Sequence, residues 1–245
     1  MRLPPLDSPH WQNPVRAFAW GMGSVTSTVL ALVLFATYLG IGALAHEAHF
    51  SLLWALASTL LVWAGPAQII LISTLGSGAT AVQAAVAVTM SAIRLFPMVV
   101  SVLPLMRTPQ TKRRHLVLAA HFTAVTLWVE CYRLLPQVPR PRRIVFVHGL
   151  GCGLLIICLT ATTLGFELAA KLPQLFAAAI LMLTPLAFLL STARNCKQIS
   201  DILALALGIA LFPLVARLNT GVDVLISGMA AGSIGYGVHW WRERA

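Results

Sequence analysis

Long apolar runs separated by short polar segments dominate the chain, and they predict membrane-spanning helices. A helix needs roughly 20 apolar residues to cross the hydrocarbon core of a bilayer. The runs are long and do not alternate, which favours helices over the strands of a barrel. We therefore predict an all-α integral membrane protein with about seven or eight transmembrane helices, some of them broken. The candidate spans are Ala17–Ala45, Leu52–Leu75, Ala79–Met106, Leu116–Leu135, Ile144–Phe166, Pro173–Thr192, Ile199–Ala216 and Val222–Trp240.

Composition supports this class of protein. Hydrophobic residues make up 58% of the chain and charged residues 10%, and the mean hydropathy is +0.84. A soluble domain carries roughly 25% charged residues. The formal net charge of +10 would suggest nucleic acid in a soluble protein. Here the Lys and Arg residues lie in short loops, where they orient the chain and meet anionic headgroups. We expect a lipid bilayer as partner and no nucleic acid.

The first 16 residues are rich in proline and lack an apolar core followed by small residues, so we do not expect a cleaved signal peptide. We predict a cytoplasmic N-terminal segment over residues 1–16 and one polytopic transmembrane domain over residues 17–241. The first span would then serve as an uncleaved signal anchor.

The distribution of Lys and Arg favours both termini inside, because basic residues are retained on the cytoplasmic side. One region conflicts with this orientation. The span Leu116–Leu135 has a basic cluster at each end, at 112–114 and 140–143. Either one cluster violates the rule, or some upstream stretch does not fully cross.

The stretch from Leu61 to Pro97 contains features that are costly in lipid. Gly65-Pro66 interrupts an apolar run, and Gln68 follows it. A proline inside a span frees a backbone carbonyl one turn earlier, and a neighbouring helix, a water or a ligand must satisfy it. Two interpretations remain open for this site: a break that lines a transport site, and a packed kink whose Gln68 bonds to another helix.

Arg94 is the strongest single signal, since it lies near the middle of the third run, close to Ser91. An arginine in mid-membrane needs an acidic partner, carbonyl groups or an anionic ligand. The candidate acids are Glu130, Asp223 and Glu167. A ligand or gating role and a structural ion pair both remain possible for Arg94.

His121 lies within the fourth run, beside two threonines. A histidine in mid-membrane is able to relay protons, although a lone histidine is more often only hydrogen-bonded. The candidate substrate-binding or gating residues are thus Gly65, Pro66, Gln68, Ser91 and Arg94. The candidate proton relay or ion-pair partners are His121, Glu130 and Asp223.

A faint internal repeat relates the two halves of the chain. Leu39-Gly40 recurs as Leu164-Gly165, and Leu95-Phe96-Pro97 as Leu211-Phe212-Pro213. Two further pairs of segments are similar: Gly65-Pro66 with Thr184-Pro185, and Ile72-Ser73-Thr74 with Leu190-Ser191-Thr192. Paired, proline-interrupted helices in two halves point to a transporter site. Four spans in each unit would make the halves parallel, whereas one re-entrant stretch would make them inverted.

Catalytic motifs are missing from the sequence. It has no nucleophile elbow, no nucleotide-binding loop and no paired carboxylates. We expect no enzyme activity, no cofactor and no metal site.

Two short motifs resemble the AzlC family, the large subunits of bacterial branched-chain amino acid exporters. Val62-Trp63-Ala64-Gly65-Pro66-Ala67-Gln68-Ile69 is similar to the family's Y-A-G-A-S-Q-F. At the family's spacing, Ser91-Ala92-Ile93-Arg94-Leu95-Phe96 is similar to N-L-R-H-x-L-Y. The likeness in length and hydropathy runs from about Phe18 to Tyr236.

This resemblance implies a proton-coupled secondary exporter of leucine, isoleucine, valine or a similar apolar amino acid in the bacterial cytoplasmic membrane. It also implies a small membrane partner of the AzlD type. The chain departs from the family at Phe122–Val125, where the family's L-T-D-E has lost both acids. Export of a different small metabolite and a non-transporting membrane scaffold therefore stand as alternative hypotheses.

Overall fold

The structure is a computed structural model, and it describes residues 3–173, 198–217 and 223–244 together with single positions between 174 and 197. Within these residues the chain is helical, apart from turns and short connections, and contains no strand. The helices are α1 Pro14–Ser24, α2 Val29–Glu47, α3 Leu52–Val62, α4 Gly65–Gly76, α5 Ala81–Ala92, α6 Leu95–Met106, α7 Arg113–His121, α8 Val125–Leu134, α9 Arg143–Lys171, α10 Ile199–Ala216 and α11 Asp223–Arg244.

Polar side chains begin several of these helices. The hydroxyl oxygens of Thr28 and Ser51 accept hydrogen bonds from backbone N–H groups in the first turns of α2 and α3. Thr80 and Gln83 form a reciprocal capping box at the start of α5. Such caps satisfy backbone donors that have no partner within the helix, so these residues fix where the helices begin.

The long helix α9 is the centre of the packing, and α1 and α2 lie along it in the same direction. Near the start of α9, a Cβ added at Gly149 would overlap the backbone of Phe18 in α1. Near its end, a Cβ added at Gly165 would overlap the carbonyl oxygen of Leu39 in α2. Small residues thus allow the backbones to touch, as is common between membrane helices.

The helices α3 and α4 form a hairpin whose open end lies at the Lys171 end of α9. At that end, the ring of His46 in α2 packs on the ring of Phe166 in α9, with their centroids 5.0 Å apart. The last residue of α4, Gly76, lies against Ala48, which follows α2 and precedes α3. Since both ends of the hairpin lie near Ala48, the break between α3 and α4 is its tip. The predicted span Leu52–Leu75 is therefore not one continuous helix.

A second hairpin, formed by α7 and α8, has its open end at the Arg143 end of α9. The ring of His148 bonds the backbone carbonyl of His115 in the first turn of α7, at 3.0 Å. At the other end of the hairpin, a short connection with two 3₁₀ turns leads from α8 to Arg143. The tip lies between α7 and α8, where Phe122 packs on Gly151. The predicted span Leu116–Leu135 is likewise a pair of short helices.

Between the two hairpins, α5 and α6 form a single bent unit. Their axes differ by 50° at a break of two residues. The unit starts beside Gly76, and it finishes where the Arg143 guanidinium donates a 3.0 Å hydrogen bond to the carbonyl of Leu105. It therefore runs the length of α9 in the opposite direction.

Among the described residues, three helices are long and apolar enough to cross a membrane: α2, α9 with the 3₁₀ turn before it, and α10. The bent pair α5–α6 gives a fourth. The prediction of seven or eight spans is not confirmed, because two of the apolar runs fold into hairpins and Pro173–Thr192 lies mostly outside the described residues. The repeated segments at Thr184-Pro185 and Ser191-Thr192 also lie outside the described residues, so the internal repeat remains a prediction.

Candidate functional site

The tip of the α3–α4 hairpin is built from an unusual backbone turn. Trp63 ends α3 with a left-handed conformation at φ 44°, which is rare for a bulky residue. Ala64 is extended, and Gly65 and Pro66 form the first turn of α4. The structure has a break at the predicted place, and Pro66 lies at the start of α4, where its missing N–H would have had no partner within the helix.

Gln68 lies in the first turns of α4, and its side chain is fully buried. Its amide nitrogen donates hydrogen bonds of 2.8 Å to the hydroxyl oxygens of both Ser58 and Thr59 in α3. The Thr59 hydroxyl lies 3.3 Å from that of Thr162 in α9. These four buried polar side chains, which we call the Gln68 cluster, join both arms of the hairpin to α9.

The tips of the two hairpins meet. The indole N–H of Trp63 donates a 2.7 Å hydrogen bond to the backbone carbonyl of Phe122, and the two rings pack edge to face. The ring of His121 bonds the carbonyl of Leu60 at 3.0 Å. His121 is exposed and lies between the ends of two helices. Its role as a proton relay stays a prediction.

Both hairpins thus place a helix N-terminus at the meeting point. Ala64 and Ala124 occupy the cap positions of α4 and α8, and neither supplies a side-chain acceptor. The first N–H groups of a helix carry a partial positive charge and lack partners within the helix. The meeting point therefore combines broken backbone with buried polar side chains.

The structure places Arg94 in the bend between α5 and α6, and the side chain is exposed. The bend turns this residue toward the outside of the described helices, so its place within an apolar run stays a prediction. Within the described part of the chain, Arg94 makes no hydrogen bond or ion pair. Ser91, one turn earlier at the end of α5, is partly buried.

The candidate partners of Arg94 are engaged elsewhere. Glu130 is buried and accepts a 3.0 Å hydrogen bond from Arg133 on the next turn of α8. Glu167 pairs with Lys171 at 2.6 Å. Asp223, the first residue of α11, has interactions of its own. The structure therefore does not bring Glu130 or Glu167 to Arg94 as an ion-pair partner.

Helix packing still relates Arg94 to the meeting point. The helix α5 packs along α4, and α6 packs against α8, where the indole of Trp128 donates a 2.9 Å hydrogen bond to the Ser101 hydroxyl. The bend that carries Arg94 thus lies where α5 leaves one hairpin and α6 joins the other.

Sequence reasoning missed several residues of this site. Trp63 and Phe122 looked like ordinary apolar residues, and their contact is only visible in the fold. Ser58 and Thr59 offered a signal, since two adjacent hydroxyls in an apolar run stand about ten residues before Gln68. Thr162 offered none, because it lies among other threonines in α9.

A scan against family models matches residues 29–172 to the AzlC protein family, which is more than half of the chain. Searches of curated proteins and of solved structures found no match. The matched residues extend from the first turn of α2 to the end of α9, so they contain both hairpins and the bent pair between them. The chain therefore belongs to the AzlC family, a membership that indicates a membrane protein and a component of a branched-chain amino acid transporter.

Proposed function

We propose that this chain is the large subunit of a secondary exporter of branched-chain or related small apolar amino acids. The exporter would lie in the bacterial inner membrane, use the proton gradient and pair with a small AzlD-like membrane subunit. In this proposal the chain is a transporter component and not an enzyme.

The observation that carries the proposal is the meeting of two hairpins from opposite ends of α9. In the hydrocarbon region, non-helical backbone is tolerated where it is buried in protein or lines a cavity. Discontinuous helices at mid-membrane are a common way for transporters to build a substrate site. The contact between Trp63 and Phe122 would lie at such a site, with Gly65, Pro66 and Gln68 on one of its walls.

The hairpins also remove the conflict in the distribution of basic residues. Both ends of the α7–α8 hairpin lie at the Arg143 end of α9, so the basic clusters at 112–114 and 140–143 share one side. If that side is cytoplasmic, both clusters obey the positive-inside rule. The α7–α8 hairpin would then re-enter from the cytoplasm and the α3–α4 hairpin from the opposite side.

Arg94 is the residue that we expect to meet an anionic group. It is exposed in a bend whose apolar residues Ile93 and Phe96 are also exposed, by 57% and 72%. A charge that faces hydrocarbon costs roughly 2.5–3.5 kcal/mol on insertion scales, so a carboxylate there would be strongly stabilising. That carboxylate would come from the substrate or from the small subunit.

The direct test is counterflow of labelled leucine in proteoliposomes, with and without a small membrane protein encoded beside this chain. Leucine counterflow that requires both chains, and that isoleucine and valine compete, would support the exporter. A folded complex that moves no leucine would overturn this substrate class. A competition panel of other small metabolites would then test the alternative that the loss of two acids at Phe122–Val125 changed the substrate.

A further inference from the structure

The side-chain amide of Gln68 has one satisfied end and one unsatisfied end. Its nitrogen bonds the hydroxyls of Ser58 and Thr59. Its oxygen Oε1 is buried and, among the residues that the structure describes, is the one buried side-chain oxygen or nitrogen with no hydrogen-bond partner. Buried polar atoms in native proteins nearly always have a partner, so an unpaired acceptor is informative.

The surrounding hydrogen bonds match the orientation in which the amide nitrogen faces the hydroxyls. The hydroxyl of Ser58 donates to the carbonyl of Ala55 at 2.8 Å, and the hydroxyl of Thr59 lies 3.0 Å from the same carbonyl. With their protons used in this way, both oxygens face Gln68 as acceptors, and only the amide nitrogen is able to donate to them. In this orientation Oε1 lies on the opposite side of the amide, away from the hydroxyls.

We propose that Oε1 of Gln68 accepts a hydrogen bond from the ammonium group of a zwitterionic α-amino acid. This inference rests on the proposed function and assigns the part of the substrate that Gln68 would recognise. An ammonium group offers three donors and no acceptor, which matches an unpaired carbonyl oxygen.

A zwitterion fits this place better than a simple amine. Each of the four members of the Gln68 cluster is uncharged, so none of them would balance a bare cation. The first turn of α4 also carries the partial positive charge of a helix N-terminus, which disfavours a cation alone. An α-amino acid brings its own carboxylate and is neutral as a whole.

The experiment compares leucine with 4-methylpentanoate, which has the same side chain and carboxylate but no ammonium group. Binding to the full complex in lipid nanodiscs is measured by the tryptophan fluorescence of the protein. The variants are Gln68→Met, which removes both amide ends, and Gln68→Glu, which keeps an acceptor. The matched control is Gln137→Met, since Gln137 is an exposed glutamine that bonds only the Arg133 carbonyl in the described chain.

We expect the wild type and Gln137→Met to bind leucine at least tenfold more tightly than 4-methylpentanoate. Gln68→Met should lower leucine affinity at least tenfold and leave 4-methylpentanoate binding unchanged, whereas Gln68→Glu should keep the preference for leucine. If Gln68→Met fails to fold, the Gln68→Glu variant decides the test. Equal binding of leucine and 4-methylpentanoate by Gln68→Glu would contradict the proposal.

Two results would overturn the inference while leaving the proposed function intact. In one, leucine counterflow is active but the wild type binds both ligands equally. In the other, Gln68→Met weakens both ligands to the same extent, which would indicate a purely structural role. Absence of both leucine binding and counterflow in a folded wild-type complex would instead overturn the proposed function, and this inference with it.

Discussion

The indole N–H of Trp63 donates a 2.7 Å hydrogen bond to the carbonyl of Phe122, and the ring centroids lie 5.7 Å apart in an edge-to-face contact. Both residues are buried, and each stands at the tip of a different helical hairpin. The left-handed backbone of Trp63 is strained, at a cost on the order of 1–3 kcal/mol. The contact with Phe122 helps to hold this strained turn in place.

Replacing Trp63 by phenylalanine should destabilise the meeting point, because the ring remains but the hydrogen-bond donor is lost. We expect a loss of roughly 0.5–1.5 kcal/mol, as for one buried hydrogen bond, and reduced leucine counterflow. Thermal unfolding and counterflow of the complex measure both effects. Trp128→Phe is the control, since it removes an indole donor that bonds Ser101 away from the tips. Equal stability and counterflow for the two variants would contradict a special role for Trp63.

The two basic clusters should be accessible from the same side of the membrane. In a variant without the native cysteines, single cysteines at Gln110 and Arg140 should react with a membrane-impermeant thiol reagent from the cytoplasmic side. A cysteine at Ser77, which follows α4, should react from the opposite side. Labelling of positions 110 and 140 from different sides would mean that the α7–α8 segment crosses the membrane and does not re-enter.

The Gly165→Ala substitution should loosen the packing of α2 on α9. An added Cβ would overlap the carbonyl oxygen of Leu39, so the two backbones must separate. We expect destabilisation of about 1–3 kcal/mol, as for other overpacked cores, measured as a lower apparent melting temperature. Gly232→Ala is the matched control, because a Cβ there has no neighbour within 4 Å among the described residues. A Gly165→Ala protein as stable as Gly232→Ala would contradict this close contact.

Arg94→Ala should reduce transport without reducing stability. Arg94 makes no hydrogen bond or ion pair within the described chain, so its removal should change the free energy of unfolding by less than about 0.5 kcal/mol. Leucine counterflow should fall at least tenfold, because the anionic group that the guanidinium meets would lose its partner. Arg107→Ala, an exposed arginine at the end of α6, is the control for the loss of one positive charge. Wild-type counterflow by Arg94→Ala would remove this residue from the proposed site.

The local sequence around Gly65 and Gln68 marked the correct place in the chain but not the correct structure. A glycine followed by a proline predicted a break, and the structure has one there. Whether the chain continues across the membrane or turns back depends on the backbone of Trp63. No sequence pattern predicted its left-handed conformation. The partners of Gln68 depend on this bend at Trp63, because only a hairpin brings α3 beside the start of α4.

Arg94 shows a second limit of sequence reasoning. Its mid-run position predicts a residue that needs an anionic partner, but burial and partner choice follow from the packing of distant helices. Glu130 was a reasonable candidate in the sequence, yet a neighbour one turn away, Arg133, already binds it. Local pairs form with little loss of chain entropy, so they take precedence over distant ones.

By itself the sequence determined the helical membrane class, the family and the break at Gly65-Pro66, because these follow from hydropathy, short motifs and the backbone limits of glycine and proline. Only the tertiary structure decided that two apolar runs are hairpins, that their tips meet through Trp63 and Phe122, and that Gln68 is buried while Arg94 is exposed. Hydropathy depends on composition along a run, and a run of 20 apolar residues has the same hydropathy whether it is straight or folded back. The short helices α3, α6, α7 and α8 pack against α9, which for α3 and α6 lies far away in the sequence.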